Sequence, residues 1–388
     1  MGADTDPFHL LTYSREIIFG PGSLAQLPEA VECFGWQRLM LCTSPSQRRN
    51  GTIEALRASL RGKLVTVFDE VQAHVPDSQV SQALEIAGDH EVDAIIGLGG
   101  GSPIGMAKAV SMALEEQYTD QPASAATPTD QPLFPVIGIP TTYAGSEMTP
   151  IYGITYSGQE KSGKHTFRDP KIAPKLVVYD PDLTLDLPPE VTASSGINAL
   201  AHCIEALYST ARNPHATSAA QEGIRHITTA LPACTENGGD REARSEMLVG
   251  SHLAALALST TKMGLHHGLC HVLGGSAHVP HGVANSVMLP HAMQFNLDVT
   301  APHLVLAARA MGLDGTSQDS QAVARTCVDR IFEFIGRLGL PQRLRDVGVE
   351  ADDIPRLAQL ALHSRAVQDN PKPVASADQA EAVLRAAW

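Results

Sequence analysis

Short apolar runs alternate with amphipathic stretches from about residue 15 to residue 185, and then the alternation stops. In the first half RLMLC (Arg38 to Cys42), LVTVF (Leu64 to Phe68), AIIGLG (Ala94 to Gly99), PVIGIP (Pro135 to Pro140) and KLVVYD (Lys175 to Asp180) are nearly continuous apolar runs. Runs of that kind, separated by helix-length segments, predict strands buried on both faces in βα units around a mostly parallel sheet. After DLPPE, Asp186 to Glu190, the chain reads as long helices rich in Ala, Leu and His with no period of two. The expected division is an α/β dinucleotide-binding domain over residues 1–186 and an all-helical substrate and catalytic domain over 187–388. One polar stretch interrupts the first half: EEQYTDQPASAATPTDQP, Glu115 to Pro132, reads as a surface excursion before the PVIGIP strand.

Composition narrows the class. With 43% apolar and 18% charged residues over 388 positions, the chain is a globular protein of about two domains. A net charge of −14, spread along the chain, argues against nucleic acid or a membrane surface as partner. No apolar run reaches the length of a membrane span and the start lacks a signal peptide's basic and apolar regions, so a cytoplasmic location is expected. The six cysteines show no CxxC spacing and sit mostly in apolar segments, as reduced core thiols do.

Two loops follow strands in the first half. AIIGLGGGSPIGMAKAV places Gly99, Gly100, Gly101 and Ser102 between a strand and a helix, where free N–H groups and the helix dipole suit a pyrophosphate. The strict G-x-G-x-x-G fingerprint is absent, and a tight turn without a ligand would look the same in isolation. The second loop, PTTYAGSEMTP, offers Thr141, Thr142 and Ser146 after the PVIGIP strand; each hydroxyl could instead cap the next helix. Past RLMLC the chain carries Thr43 and Ser44, then Arg48 and Arg49, rather than the acid that repels a 2′-phosphate. NADPH is therefore expected to be accepted beside NADH.

The second half concentrates histidine. Six of the sixteen, His266, His267, His271, His278, His281 and His291, fall in one helix-and-loop stretch. A lone histidine on an apolar face is usually a core residue, which is the reading taken for His278 and His291. Upstream, Asn198 and His202 are four apart and share a helix face. Together these residues suggest a polar pocket in the helical half. Glu205 could orient His202 or cap its helix.

The motifs IIFGPGSL, GGGSPIGMAK, PTTYAGSE, YDPDLTLDLP, SGINALAHCIEALY and HHGLCHVLGG…PHGVANSVMLPH occur in order along nearly the whole chain. Together they resemble the iron-containing (group III) alcohol dehydrogenase superfamily. The resemblance implies a dehydroquinate-synthase-like nucleotide-binding domain, a helical second domain, NADH or NADPH as cofactor, and a homodimer. By position the family's four metal ligands fall on Asn198, His202, His267 and His281, a proton-relay histidine on His271, and a lysine near the nicotinamide ribose on Lys164. Three departures stand out: Asn198 replaces the usual aspartate, Gly105 replaces another, and the threonine loop is one residue short. All three resemble the maleylacetate reductase branch, which implies reduction of a carbon–carbon double bond in a small dicarboxylate, maleylacetate, to 3-oxoadipate.

Three neutral imidazoles and an amide leave a divalent cation without a protein anion, and a carboxamide oxygen is a poor ligand for iron or zinc. No metal is therefore expected. The Asn198 amide and protonated histidines would stabilise an enolate, with His271 as proton donor and His202, His267 and His281 orienting the substrate. Lys262, His266 and Lys372 are possible partners for the substrate carboxylates. Two rival readings stand beside this one: a metal-dependent alcohol dehydrogenase, and a non-catalytic nucleotide-binding protein.

Overall fold

The computed structural model describes residues 7, 8, 10–118, 132–158, 162–313, 317 and 319–388, the side chains of Ser162 and Lys164 excepted. It divides into two compact units: Thr12–Leu185, and Asp186–Trp388 with the described residues before Thr12. The expected excursion lies outside the described residues beyond Tyr118.

The α/β unit holds strands β1 (Glu16–Phe19), β2 (Leu39–Thr43), β3 (Leu64–Phe68), β4 (Ala94–Gly99), β5 (Val136–Pro140), β6 (Ile151–Ser157), β7 (Ser162–Arg168) and β8 (Leu176–Tyr179). Its helices are α1 (Leu27–Phe34), α2 (Pro45–Arg49), α3 (Thr52–Ser59), α4 (Asp77–Asp89) and α5 (Gly101–Tyr118). Six strands form one parallel sheet in the order β1-β8-β5-β4-β2-β3. The continuous apolar runs are explained by what each side chain packs on. In β2, Leu39 and Leu41 enter one core while Met40 and Cys42 enter another; in β4, Ala94, Ile96 and Leu98 face the first and Ile95 the second. Alternate side chains thus reach two cores, so neither strand has a polar face.

The pattern did not predict β1 or the hairpin of β6 and β7. β1 is an edge strand with mostly exposed residues, and the hairpin's second strand, SGKHTFR, is polar. Neither presents the fully buried run that marks an interior strand. The chain moves from β2 to β3 on one side, then returns through β4 to β5 and β8 on the other. The carboxyl ends of β2 and β4 therefore form a topological switch point, where an open α/β sheet takes its ligand.

The helical unit comprises α6 (Pro189–Tyr208), α7 (Pro214–Glu236), α8 (Arg241–Ser259), α9 (Leu265–Ser276), α10 (His281–Ala310), α11 (Ser320–Arg337), α12 (Ile354–Ala361), α13 (Arg365–Gln368) and α14 (Ala377–Ala386). A core of α9, α10, α12 and α14 residues holds Leu269, Leu273, Val287, Leu357 and Leu384. The helix α6 is buried almost throughout, and Asn198, His202 and Glu205 are its buried polar residues after Thr192. No helix among the described residues is long and apolar enough to cross a membrane.

Candidate active site

The glycine turn is shaped by packing as well as by backbone freedom. Gly99 has φ 138°, a region that side chains rarely adopt, and a Cβ on Gly97 would meet the Ile104 Cα at 2.7 Å. Strand β4 can therefore lie directly on α5, whose first residues are Gly101 and Ser102. The second loop adjoins this turn: the Thr141 N–H donates to the Gly99 carbonyl at 3.0 Å, and Thr142 is the nearest neighbour of the Gly100 position. The His74 N–H donates to Ser102 Oγ at 3.3 Å. The sequence-predicted residues Gly99, Gly100, Gly101, Ser102, Thr141 and Thr142 thus form one continuous cradle. The side chain of Lys164 lies outside the described residues; its backbone is on β7, opposite Thr155.

One residue of this region escaped the sequence reading. Lys108 on α5 is fully buried, and its Nζ donates to the carbonyls of Ser146 at 2.5 Å, Thr149 at 2.7 Å and Ile151 at 2.9 Å. The far end of the second loop is wrapped around one ammonium group. Burial pushes the Lys108 pKa down to about 7, while the three carbonyl acceptors favour the charged form. The lysine of GGGSPIGMAK was the available signal, but a lysine in an apolar helix stretch is ordinarily read as solvated.

Two expected cofactor contacts are corrected. Thr43 is fully buried and its hydroxyl donates to the Leu98 carbonyl at 2.8 Å, so it holds β2 against β4. Arg48, expected to be available to a 2′-phosphate, pairs through two nitrogens with Asp69 at the end of β3; its Nε lies 2.6 Å from Asp69 Oδ2. The acid that meets it comes from the neighbouring strand. Register across a sheet cannot be read from one strand's own sequence.

In the helical unit α6, α9 and α10 bring the histidines together. The rings of His202 and His267 stack with centres 4.7 Å apart, and those of His271 and His281 with centres 5.7 Å apart. His267 lies 6.4 Å from both His271 and His281. Asn198 is one turn from His202 on the same buried helix. Glu205, read as orienting His202 or capping its own helix, instead serves α9: its carboxylate accepts from the Gly264 and His266 N–H groups at 3.1 Å and from His267 Nδ1 at 2.7 Å. It caps the helix start and fixes the His267 tautomer in one arrangement. His267 Nε2 is thereby left as a buried lone pair without a hydrogen-bond partner.

Electrostatics overturns part of the expectation. Burial, with the neighbouring imidazoles second, holds His202 and His267 well below the usual histidine pKa, and burial also lowers His266. These three are neutral at pH 7, not protonated. His271 is exposed and His281 half-buried. The cations considered for substrate carboxylates are already engaged: Lys262 Nζ meets Asp369 at 3.2 Å, Lys372 Nζ meets Asp298 at 3.0 Å, and His266 Nε2 faces the Asn285 carbonyl at 3.1 Å. His278, read as a core residue, is exposed with φ 55°, and His291 is half-buried.

Comparison with known proteins now bears on this geometry. The iron-containing alcohol dehydrogenase family matches residues 14–181, and the C-terminal model of the same family matches residues 192–388. The chain belongs to the iron-containing alcohol dehydrogenase family. It is an oxidoreductase, and the family implies NAD(P)H as its cofactor. Maleylacetate reductase 1 of Cupriavidus pinatubonensis is 35% identical over 97% of this chain and 96% of its own. The crystal structure of maleylacetate reductase from Agrobacterium tumefaciens is 34% identical with a TM-score of 0.83, covering 99% of both chains. A 1,3-propanediol oxidoreductase structure is 28% identical with a TM-score of 0.90, covering 98% of this chain and all of that one.

The family's metal does not suit the donor set found here. A buried trio, Glu205, His266 and His267, gathers its ligand atoms within 4.8 Å of one another. Both oxygens of Glu205 already accept hydrogen bonds, and the two His266 ring nitrogens face the Asn285 carbonyl and His267 Nδ1. Glu205 and His266 are thus committed to hydrogen bonds, and within the trio only His267 Nε2 is without a partner. The positional set is no better. An imidazole bound at about 2.1 Å places its ring centre about 3.2 Å from the ion, so His267 and His281, 6.4 Å apart, would have to face it from opposite sides. Asn198 adds no charge. A divalent cation would meet only neutral donors there.

Proposed function

We propose that the chain is an NAD(P)H-dependent maleylacetate reductase that works without a metal. The observation that carries this reading is the neutral donor set: Asn198 stands where a carboxylate would hold a cation, and Glu205, the buried carboxylate of the same helix, is committed to α9 and His267. An alcohol dehydrogenase needs a cation to stabilise an alkoxide, whereas conjugate reduction produces an enolate, whose oxygen is less basic. Neutral hydrogen-bond donors are sufficient for that charge in a dry site.

A bound nicotinamide would supply hydride to the alkene carbon β to the ketone, leaving the π electrons on the ketone oxygen. The Asn198 amide and the N–H of neutral His202 donate to that oxygen. His267 cannot do so, because its Nδ1–H is given to Glu205; its ring, stacked on His202 with centres 4.7 Å apart, positions that donor instead, and His281 orients the substrate. A proton then reaches the carbon α to the ketone. His271 suits this step because it is exposed and regains its proton from solvent. The glycine turn, Thr141 and Thr142 would hold the dinucleotide.

A second reading, a metal-dependent alcohol dehydrogenase, is favoured by one observation. A carboxylate-oriented imidazole with a free Nε2, as in Glu205 and His267, is also how metal ligands are held. NADH oxidation with maleylacetate, after dialysis against a strong chelator and with or without added iron or zinc, separates the two. The expected outcome is full activity without metal. Activity that returns only with iron or zinc would reject the metal-free mechanism.

A further inference from the structure

Beyond the glycine turn, the sheet edge carries a charged group that the mechanism does not use. Thr43 pairs with Leu98 and Cys42 with Phe68. Gly99, which closes β4, and Ser44 and Asp69, just past β2 and β3, therefore lie along one edge, spaced about 4.8 Å per strand. Two hydrogen bonds tie these ends: Thr43 Oγ1 to the Leu98 carbonyl at 2.8 Å, and the Val71 N–H to the Thr43 carbonyl at 3.1 Å. A dinucleotide with its pyrophosphate on the glycine turn extends its halves along this edge in opposite directions. Toward β5, residues 141–146 include no charged side chain. Toward β3 stand Arg48, Arg49, Asp69 and Glu70.

NADH and NADPH differ only at the adenosine ribose, where a diol in one is a phosphate monoester in the other. A carboxylate accepts from the diol and repels the phosphate. Asp69 has the place and the protection to do both, since its side chain is 22% exposed, against 73% for Glu70. Arg48 holds it with two parallel donors, which fix its orientation, and also lies 3.9 Å from Glu70. Exposed ion pairs add little to stability, so the fold alone does not explain this clamp. The two arginines and two acids of the patch cancel, leaving no net attraction for a 2′-phosphate.

We infer that Asp69, oriented by Arg48, selects NADH over NADPH by receiving the adenosine ribose diol. This rests on the dinucleotide part of the proposed function but not on the identity of the reduced substrate. The test is a fluorescence titration of the full chain with NADH and with NADPH, without substrate. The native chain should bind NADH more tightly. Asp69→Asn should raise the NADPH-to-NADH affinity ratio by about tenfold or more, since a like-charge contact is removed and Arg48 is released. The part of that gain owed to the released arginine should be lost in Asp69→Asn combined with Arg48→Met, and the part that remains measures loss of the acid. A thermal melt checks that each variant is folded. An unchanged ratio in folded Asp69→Asn, or a native chain that binds NADPH as well as NADH or binds neither, would overturn the inference. Failure to reduce maleylacetate would leave this binding result standing and reject only the substrate assignment.

Discussion

At Glu205 one carboxylate decides the chemistry of a neighbour on another helix. By accepting the Nδ1 proton of His267 at 2.7 Å, it leaves Nε2 as an acceptor, so His267 orients and His202 or Asn198 donates. The same logic separates His271 from the buried imidazoles. A proton donor must be recharged, and among these residues His271 is the exposed one. Replacing His271 with Asn should lower kcat by about 10²- to 10⁴-fold, in the usual range for losing a general acid, with little change in the affinity for NADH. Stopped-flow absorbance would show whether nicotinamide oxidation or a later step has slowed. Undiminished turnover in the variant would reassign the proton donor. Spacing alone pairs Asn198 with His202 and His267 with His271, because helical periodicity puts residues four apart on one face, while His281 joined them through the family resemblance. Their protonation could not be read that way, since it depends on burial that only packing creates.

Among the elements, α5 connects the glycine turn to the second nucleotide loop. Its first residues form the cradle and Lys108, two turns later, holds the carbonyls of Ser146, Thr149 and Ile151. Methionine fills a similar volume but leaves those carbonyls unsatisfied. Lys108→Met should therefore cost about 2–4 kcal/mol of stability and raise the KM for NADH while leaving the KM for maleylacetate near its native value. A thermal melt with steady-state kinetics on both substrates checks this. A melt that falls while KM for NADH stays constant would mean that the lysine supports only the fold. At this scale the interior strands were legible as apolar runs. The edge strand β1 and the β6–β7 hairpin were not, because exposed or polar strands lack that signal.

For the whole molecule, buried ionisable groups set the response to acid. Burial lowers the pKa of His202, His266, His267 and His291 and raises that of Glu147 and Glu205. As pH falls through 6.5, the unfolded chain binds protons at four imidazoles whose protonation burial delays to lower pH in the folded chain, which favours unfolding. The two carboxyls act in the opposite sense, because the folded chain protonates them first. Four groups against two leave a net loss of stability as pH falls from 6.5 to 5, at most about 2–3 kcal/mol per pH unit. The melting temperature should drop across that interval, and a His202→Gln variant should show a shallower drop. A flat profile would mean that these imidazoles are solvated.

The parallel α/β unit, the helical second unit and the family were determined by the chain itself, because buried strands, helical spacing and glycine turns are local requirements that leave local marks. What the tertiary structure alone decided is which charges and hydrogen-bond donors remain available. Arg48 meets Asp69 from another strand, Lys262 and Lys372 meet Asp369 and Asp298 far along the chain, and Glu205 of α6 reaches His267 of α9. Each pairing joins residues distant in sequence. A charge changes role with its partner and its burial, and both are properties of the folded chain.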